Sequence, residues 1–373
     1  MREYLLVFLI AASGTYLLSG IARKVAVRTG AMAKVRERDV HATPTPYLGG
    51  VAMLCGVAAA FLVASQLPFL GRLPVVTRDS FGIFLASAVI CGVGALDDLL
   101  DLSAIAKIAG QVLAAGVAVV NGVRWYWISL PNQIVALDTA TSVVVTVLFI
   151  FVCVNAINLV DGLDGLAAGM VGIGAMALFS FTYLLAFEER FTVATTASLV
   201  AITVAGVCVG FLPHNFYPAR MFMGDSGAML LGLLLACSTI SFTGQIDSSA
   251  IGVDGAGALY VWMPLILPFA IMAIPFLDLI LAYVRRTMKG NWWYVADKQH
   301  LHHRLLQRGH NQVTAALVMY LWTAVISFGS ILIGLHQTWW SVLLLILGCV
   351  LASWLTVKPD YLTKYAYGNR TPL

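Results

Sequence analysis

Eleven stretches of this chain are apolar over lengths that match a bilayer, and that excludes almost every soluble architecture. They lie at roughly 4–22, 47–67, 80–96, 103–123, 140–158, 166–187, 192–212, 226–244, 258–284, 314–335 and 339–357. A hydrocarbon core about 30 Å thick is crossed by ~20 residues of helix. Inside it every backbone N–H and C=O has to be paired within the segment, so single runs of this kind become helices. Only 11% of the 373 residues are charged, against about 25% in a soluble domain. The expected fold is therefore an all-α polytopic membrane protein of about eleven transmembrane helices, forming one integral domain over 1–373. The first run is read as a retained span, being too long for a signal-peptide core. One segment departs from this pattern: "RWYWISLPNQIVAL" at 124–137 is short, aromatic and β-prone, and predicts a hairpin at the membrane interface. The six cysteines sit inside apolar runs with no C-x-x-C spacing, and read as small membrane hydrophobes.

Lys and Arg set the expected orientation. With the connections numbered by the spans they join, seventeen of the 22 basic residues fall on one side and five (Arg2, Arg72, Arg78, Arg124, Arg190) on the other. The positive-inside rule then puts the N-terminus outside and the C-terminus in the cytoplasm of a cell membrane, which requires an odd number of spans.

The polar clusters follow the same asymmetry. The connections on the basic side carry Asp97, Asp98 and Asp101, then "NAINLVDGLDGLAAG" at 155–169, "HNFYPARMFMGDSG" at 214–227 and "HLHHR" at 300–304. The connections on the other side carry almost no such cluster, and the one between 226–244 and 258–284 has only Asp247 and Asp254 as charges. A transporter pathway would place polar groups at mid-membrane and on both sides. A site built from the connections 23–46, 97–102, 158–165, 213–225 and 285–313 fits the pattern better. Carboxylates with Asn and no thiolate favour a hard cation, Mg²⁺ or Mn²⁺, which completes its shell with water and substrate phosphate. Lys107, Arg304 and the histidines suit a pyrophosphate. Gly162, Gly165 and Gly224 allow backbone to approach a ligand.

Plainer readings stand beside these. A paired Asp at a helix end is often a solvated terminus, and "HLHHR" lacks the spacing of a zinc set. His41, His214, His310 and His336 read as structural or interfacial. Asp278, two helical turns before Arg285, reads as the partner of Arg285 and Arg286. Trp292, Trp293 and Tyr294 read as an interface anchor.

In order and over nearly the whole chain, the "DD" at 97–98 and the three longer motifs quoted above resemble the polyprenyl-phosphate N-acetylhexosamine-1-phosphate transferases. That resemblance implies transfer of a sugar 1-phosphate from a UDP-sugar to a polyprenyl phosphate at the cytoplasmic membrane face, with release of UMP, as a first membrane step in a cell-envelope glycan pathway. It implies that Asp225 is a metal ligand, with Asn158 a second group near the metal. Asp97 and Asp98 match an essential pair, one of them assigned to the lipid phosphate, and Lys107 looks like a phosphate-binding lysine. Asp161, counted with the catalytic groups, and Asp164, Asn215 and Phe222 fall where relatives contact the uridine, with Phe222 placed to stack on uracil. His300, His302, His303 and Arg304 look like the sugar and pyrophosphate loop. "HLHHR" is similar to the GlcNAc-1-phosphate branch, whereas the phospho-MurNAc-pentapeptide branch shows three consecutive histidines and then an acid. The expected donor is UDP-GlcNAc. The resemblance implies no nucleic-acid partner and leaves a homodimer open.

Overall fold

The computed structural model describes residues 1–30, 32, 45–130, 133–188, 193–244, 258–290 and 300–357. Expectations for His41, most of the 23–46 connection, Asp247, Asp254, Trp292, Trp293, Tyr294 and the basic residues after 357 lie outside that set.

Thirteen α-helices account for nearly all of the described residues. They are α1 (Arg2–Thr29), α2 (Gly49–Ala64), α3 (Pro74–Leu100), α4 (Ala104–Val120), α5 (Thr139–Val160), α6 (Leu166–Glu188), α7 (Val193–Asn215), α8 (Gly224–Thr243), α9 (Ala258–Ile271), α10 (Ala273–Met288), α11 (Leu301–Gln307), α12 (Gln312–His336) and α13 (Trp339–Val357). Eight of these are long and apolar enough to cross a membrane, and α9 with α10 adds a bent ninth. The shorter apolar helices α2 and α4 occupy the remaining two runs. The protein is a multi-pass membrane protein.

The run at 258–284, expected as one span, is instead broken, and its two helices meet at 71°. The break falls at Met272, between Pro268 and Pro275. Pro275 has no N–H to return to the Ile271 carbonyl, and a missing rung of this kind bends a helix. The hairpin is present, with β1 (Trp127–Leu130) antiparallel to β2 (Gln133–Ala136) and Trp127 opposite Ala136.

Helix α8 is the axis of the bundle. Its most apolar 18-residue window is buried throughout, and α2, α3, α5 and α7 pack around it. Two of its hydroxyls find backbone partners, which lowers the cost of burying them: Ser238 donates to the Ala197 carbonyl at 2.8 Å and Thr239 to the Leu235 carbonyl at 2.6 Å, while Ser241 Oγ is buried without a partner among the described residues. At one end of the bundle the C-termini of α3 and α5 and the N-termini of α4 and α8 gather. At the other end the Glu3 carboxylate accepts the N–H groups of Phe69 and Leu70 at 2.8 and 2.9 Å, and Tyr126 N–H donates to the Gly244 carbonyl at 3.2 Å. The six cysteines are free thiols.

Candidate active site

Local capping makes the sharp α3–α4 corner. Asp101 adopts a left-handed conformation (φ 52°), and its N–H closes on the Asp97 carbonyl at 3.0 Å. Ser103 then caps α4, its hydroxyl accepting the Ala106 N–H at 3.3 Å. This fold-back carries Lys107 over the end of α3. Its ammonium donates to Asp97 Oδ2 at 3.0 Å and also to Asp225 Oδ2 on α8. Asp97 Oδ1 accepts the Leu102 N–H at 3.0 Å.

Asp98 does something different. Its two oxygens accept the backbone N–H groups of Asp225 and Ser226 at 2.8 and 3.2 Å. The first turn of α8 has no side-chain cap of its own, so a carboxylate from another helix supplies it. The arrangement favours negative charge through the helix dipole as well as the two hydrogen bonds. It works because Gly224 has φ 68° and because a Cβ there would stand 2.4 Å from Asp98 Oδ2. One turn earlier on α3, a Cβ at Gly94 would meet Ser226 Cα at 2.4 Å. The aspartate pair that looks equivalent in sequence therefore divides: Asp97 faces the lysine, and Asp98 holds a helix terminus.

Asp161 follows α5, in the connection to α6. Burial first, then the charges of Asp225, Asp98 and Asp164, push its carboxyl up to about 8. Asn158, one turn back on α5, makes no side-chain hydrogen bond among the described residues. Asp164 and Asn215 are buried and tie two loops together. Asp164 Oδ2 accepts the Ala219 N–H at 2.9 Å. Asn215 accepts the Gly165 N–H at 3.1 Å and donates to the Met221 carbonyl at 3.0 Å. Phe222, half-buried, joins this region to the start of α2: its carbonyl accepts the Gly49 N–H at 3.2 Å.

The histidine segment forms the short helix α11 where a loop was expected. Asp278 organises it, accepting the Leu301 N–H at 2.9 Å and meeting His300 Nδ1 at 3.1 Å. Asp278 is thus an anchor for the histidines, and its expected pairing with Arg285 and Arg286 is corrected: both of its oxygens are already engaged inside the bundle. His302 is buried, and its Nε2 would lie 2.4 Å from a Cβ at Gly162, so α11 abuts the 161–165 loop. Burial, then the neighbouring His303, pushes the His302 imidazole down to about 3, which keeps it neutral. His303 lies beside it, ring centroids 4.3 Å apart. Arg304 is exposed and forms no ion pair among the described residues. His214 and His310 meet the carbonyls of Tyr16 at 3.0 Å and Thr356 at 3.2 Å.

One arrangement went unread in the sequence. Gln111 Oε1 accepts from Asn155 Nδ2 at 2.8 Å, and Gln111 Nε2 donates to Met229 Sδ at 3.2 Å. These residues sit one turn behind Lys107, Asn158 and Asp225 respectively. Three helices are bolted together directly beneath the groups they present. The signal was the amide inside an apolar run, since a polar group buried in hydrocarbon needs a partner.

Among the described residues no three His, Cys, Asp or Glu side chains converge as a ready-made metal cage. Lys107 stands between Asp97 and Asp225, and those carboxylates share its charge. The donor set still suits a hard divalent cation completed by substrate phosphate. Asp225 lies close enough to Asp161 for its charge to add to the burial that raises the Asp161 carboxyl, and the Asn158 amide makes no side-chain hydrogen bond among the described residues.

Fold and site together define a polytopic membrane protein with an acidic, lysine-bridged cluster at one end of its helices. The family model for glycosyl transferase family 4 matches residues 80–243, from α3 through α8. The decaprenyl-phosphate N-acetylglucosaminephosphotransferase of Mycobacterium tuberculosis (strain CDC 1551 / Oshkosh) is 45% identical over 334 residues, 88% of this chain and 82% of that protein. A probable undecaprenyl-phosphate N-acetylglucosaminyl 1-phosphate transferase of Bacillus subtilis (strain 168) is 30% identical over 92% of this chain and 89% of its own. A phospho-N-acetylmuramoyl-pentapeptide-transferase of Mycobacterium bovis (strain BCG / Pasteur 1173P2) is 32% identical over 70% and 81%. The chain belongs to the polyprenyl-phosphate N-acetylhexosamine-1-phosphate transferases.

Proposed function

We propose that the protein transfers GlcNAc-1-phosphate from UDP-GlcNAc to a polyprenyl phosphate at the cytoplasmic face of the cell membrane, giving the lipid-linked pyrophosphate sugar and UMP. The observation that carries this reading is Lys107 bridging Asp97 and Asp225 where the ends of apolar helices meet, the setting expected at a membrane surface. One substrate keeps its tail in lipid and the other arrives from water, so their phosphates meet at such a surface. In phosphoryl transfer, positioning and charge neutralisation do most of the work.

Lys107 takes charge from the approaching phosphates, and Asp97 orients the lipid phosphate or accepts its proton. Asp225 and Asn158 would hold Mg²⁺ or Mn²⁺, with Asp161 beside them; when bound, the cation neutralises the donor pyrophosphate. The loops laced by Asp164 and Asn215 shape the uridine pocket, where Phe222 stacks on the base. Helix α11, anchored by Asp278, presents His303 and Arg304 to the sugar and pyrophosphate.

The test is UMP release in detergent with Mg²⁺ and a polyprenyl phosphate. UDP-GlcNAc is expected to turn over and UDP-MurNAc-pentapeptide to fail by ~10⁴ or more, because a site built to hydrogen-bond one sugar leaves polar groups unpaired with another. Efficient use of the peptide donor would move the protein to the other branch, and no UMP from either would favour a transporter.

The orientation has its own test. Gln307 lies at the exposed end of α11, so a cysteine there should resist impermeant thiol reagents in intact cells and react after permeabilisation. Full labelling from outside would put the site on the wrong face.

A further inference from the structure

The far ends of α3 and α4 frame a cavity well away from the proposed transferase site. It has a volume of about 390 Å³ and is lined by Val75, Arg78, Asp79, Gly122, Tyr126 and Trp127. Asp79 precedes Asp97 by eighteen residues of one helix, about 27 Å at 1.5 Å per residue. Asp79 is only 6% exposed, and its Oδ2 has no hydrogen-bond partner. Its other oxygen lies toward Gly122, where a Cβ would come within 3.7 Å of Asp79 Oδ1. A carboxylate buried without a partner is costly, and the cost is relieved by a cation that hydrogen-bonds to it. Arg78 is exposed at the same cavity. Its positive charge acts on the Asp79 carboxylate, but the two form no hydrogen bond or ion pair, so the guanidinium keeps its donors for an anion beside the carboxylate. Tyr126 and Trp127 complete the lining with aromatic surface of the kind that sits at headgroup depth; the Arg124 guanidinium already lies over the Tyr126 ring, 4.7 Å from its centroid, and Trp127 supplies the aromatic wall for an ammonium group.

The order of charges is therefore a buried carboxylate, aromatic walls and an exposed guanidinium. A ligand carrying an ammonium joined by a short link to a phosphate matches all three. We infer that this cavity binds the phosphoethanolamine headgroup of a phospholipid in the leaflet opposite the transferase site. The primary ammonium donates to Asp79, and the phosphate diester meets Arg78. A quaternary choline has no N–H to give Asp79. A headgroup with only negative charge is repelled by Asp79. A divalent metal finds one carboxylate where it needs several oxygens.

The experiment uses the full chain in detergent, with native mass spectrometry reading retained lipid. Phosphatidylethanolamine, phosphatidylcholine and phosphatidylglycerol of matched chains are compared, and soluble glycerophosphoethanolamine serves as the arm without acyl chains. The wild type is expected to prefer phosphatidylethanolamine over phosphatidylcholine by about tenfold, the scale of one charge-assisted hydrogen bond. Asp79→Asn should erase that preference, whereas Arg78→Gln should weaken both zwitterionic lipids together. Tm without added lipid checks that each variant is folded; should Asp79→Asn fail that check, Asp79→Glu, which keeps the charge but moves it, is used and should lower the preference. Binding of the soluble headgroup alone would assign the cavity to the free phosphoethanolamine group and overturn the lipid. Equal retention of the phospholipids by the wild type, or a preference that survives in folded Asp79→Asn, overturns the site.

Discussion

Asp225→Asn is expected to lower UMP release by about 10³-fold while the protein still folds. Removing one preorganised charge from a phosphate site commonly costs this much in kcat. Several interactions converge on Asp225: Lys107 donates to it, its backbone N–H is held by Asp98, and Asp161, just past the end of α5, lies near enough to feel its charge. The amide is isosteric, so α8 keeps its N-terminal turn, and Lys107 keeps Asp97 as a partner at 3.0 Å. Stability is therefore expected to change by less than about 1 kcal/mol, within the range of a partly exposed ion pair. The activity left should respond weakly to Mg²⁺, because one of the proposed oxygen ligands is gone. The measurements are UMP release across a Mg²⁺ titration and Tm for both proteins. A variant that turns over at the wild-type rate would remove Asp225 from the chemistry and with it the proposed metal position.

How much of this was readable from the chain depends on the distance over which each feature is decided. The membrane helices were legible because hydrocarbon leaves a long apolar run only one way to pair its backbone. The hairpin at 127–136 was legible from a short, aromatic, β-prone segment among long apolar runs. The break at Met272 was also present as Pro268 and Pro275, but mean hydropathy across 258–284 outweighed two residues whose effect is purely geometric. The site loops announced themselves as polar islands between greasy segments. Their partners did not. Lys107 meets Asp225 across 118 positions, and no local rule connects them. Asp278 illustrates the opposite error: helical spacing pointed to Arg285 seven residues on, while tertiary packing delivered His300 from the next connection. Asp97 and Asp98 look alike in sequence because their different roles are set by what α8 brings to each of them.

That division of labour leads to the second large effect. Asp98→Asn and Gly224→Ala should each lower kcat/KM by about 10²-fold, and together they should cost little more than either alone. Asp98→Asn leaves one acceptor oxygen where two N–H groups converge and turns an NH₂ toward a backbone donor, so the first turn of α8 shifts. Gly224→Ala disturbs the same contact from the other side. It strains a backbone at φ 68° and drives a methyl to 2.4 Å from Asp98 Oδ2. A shift of about 1 Å in a reacting group is enough for a 10²-fold loss. Because both changes act through the position of Asp225, the double variant should fall well short of the ~10⁴ expected of independent sites. The cycle is measured in kcat/KM, with Tm recorded for all four proteins to separate loss of folding from loss of alignment. Asp97→Asn serves as the contrast: it leaves the α8 terminus intact, and its loss should multiply with that of Gly224→Ala. Multiplicative losses for Asp98→Asn with Gly224→Ala would instead mean that Asp98 touches substrate itself, and the pair would be catalytic in both its members.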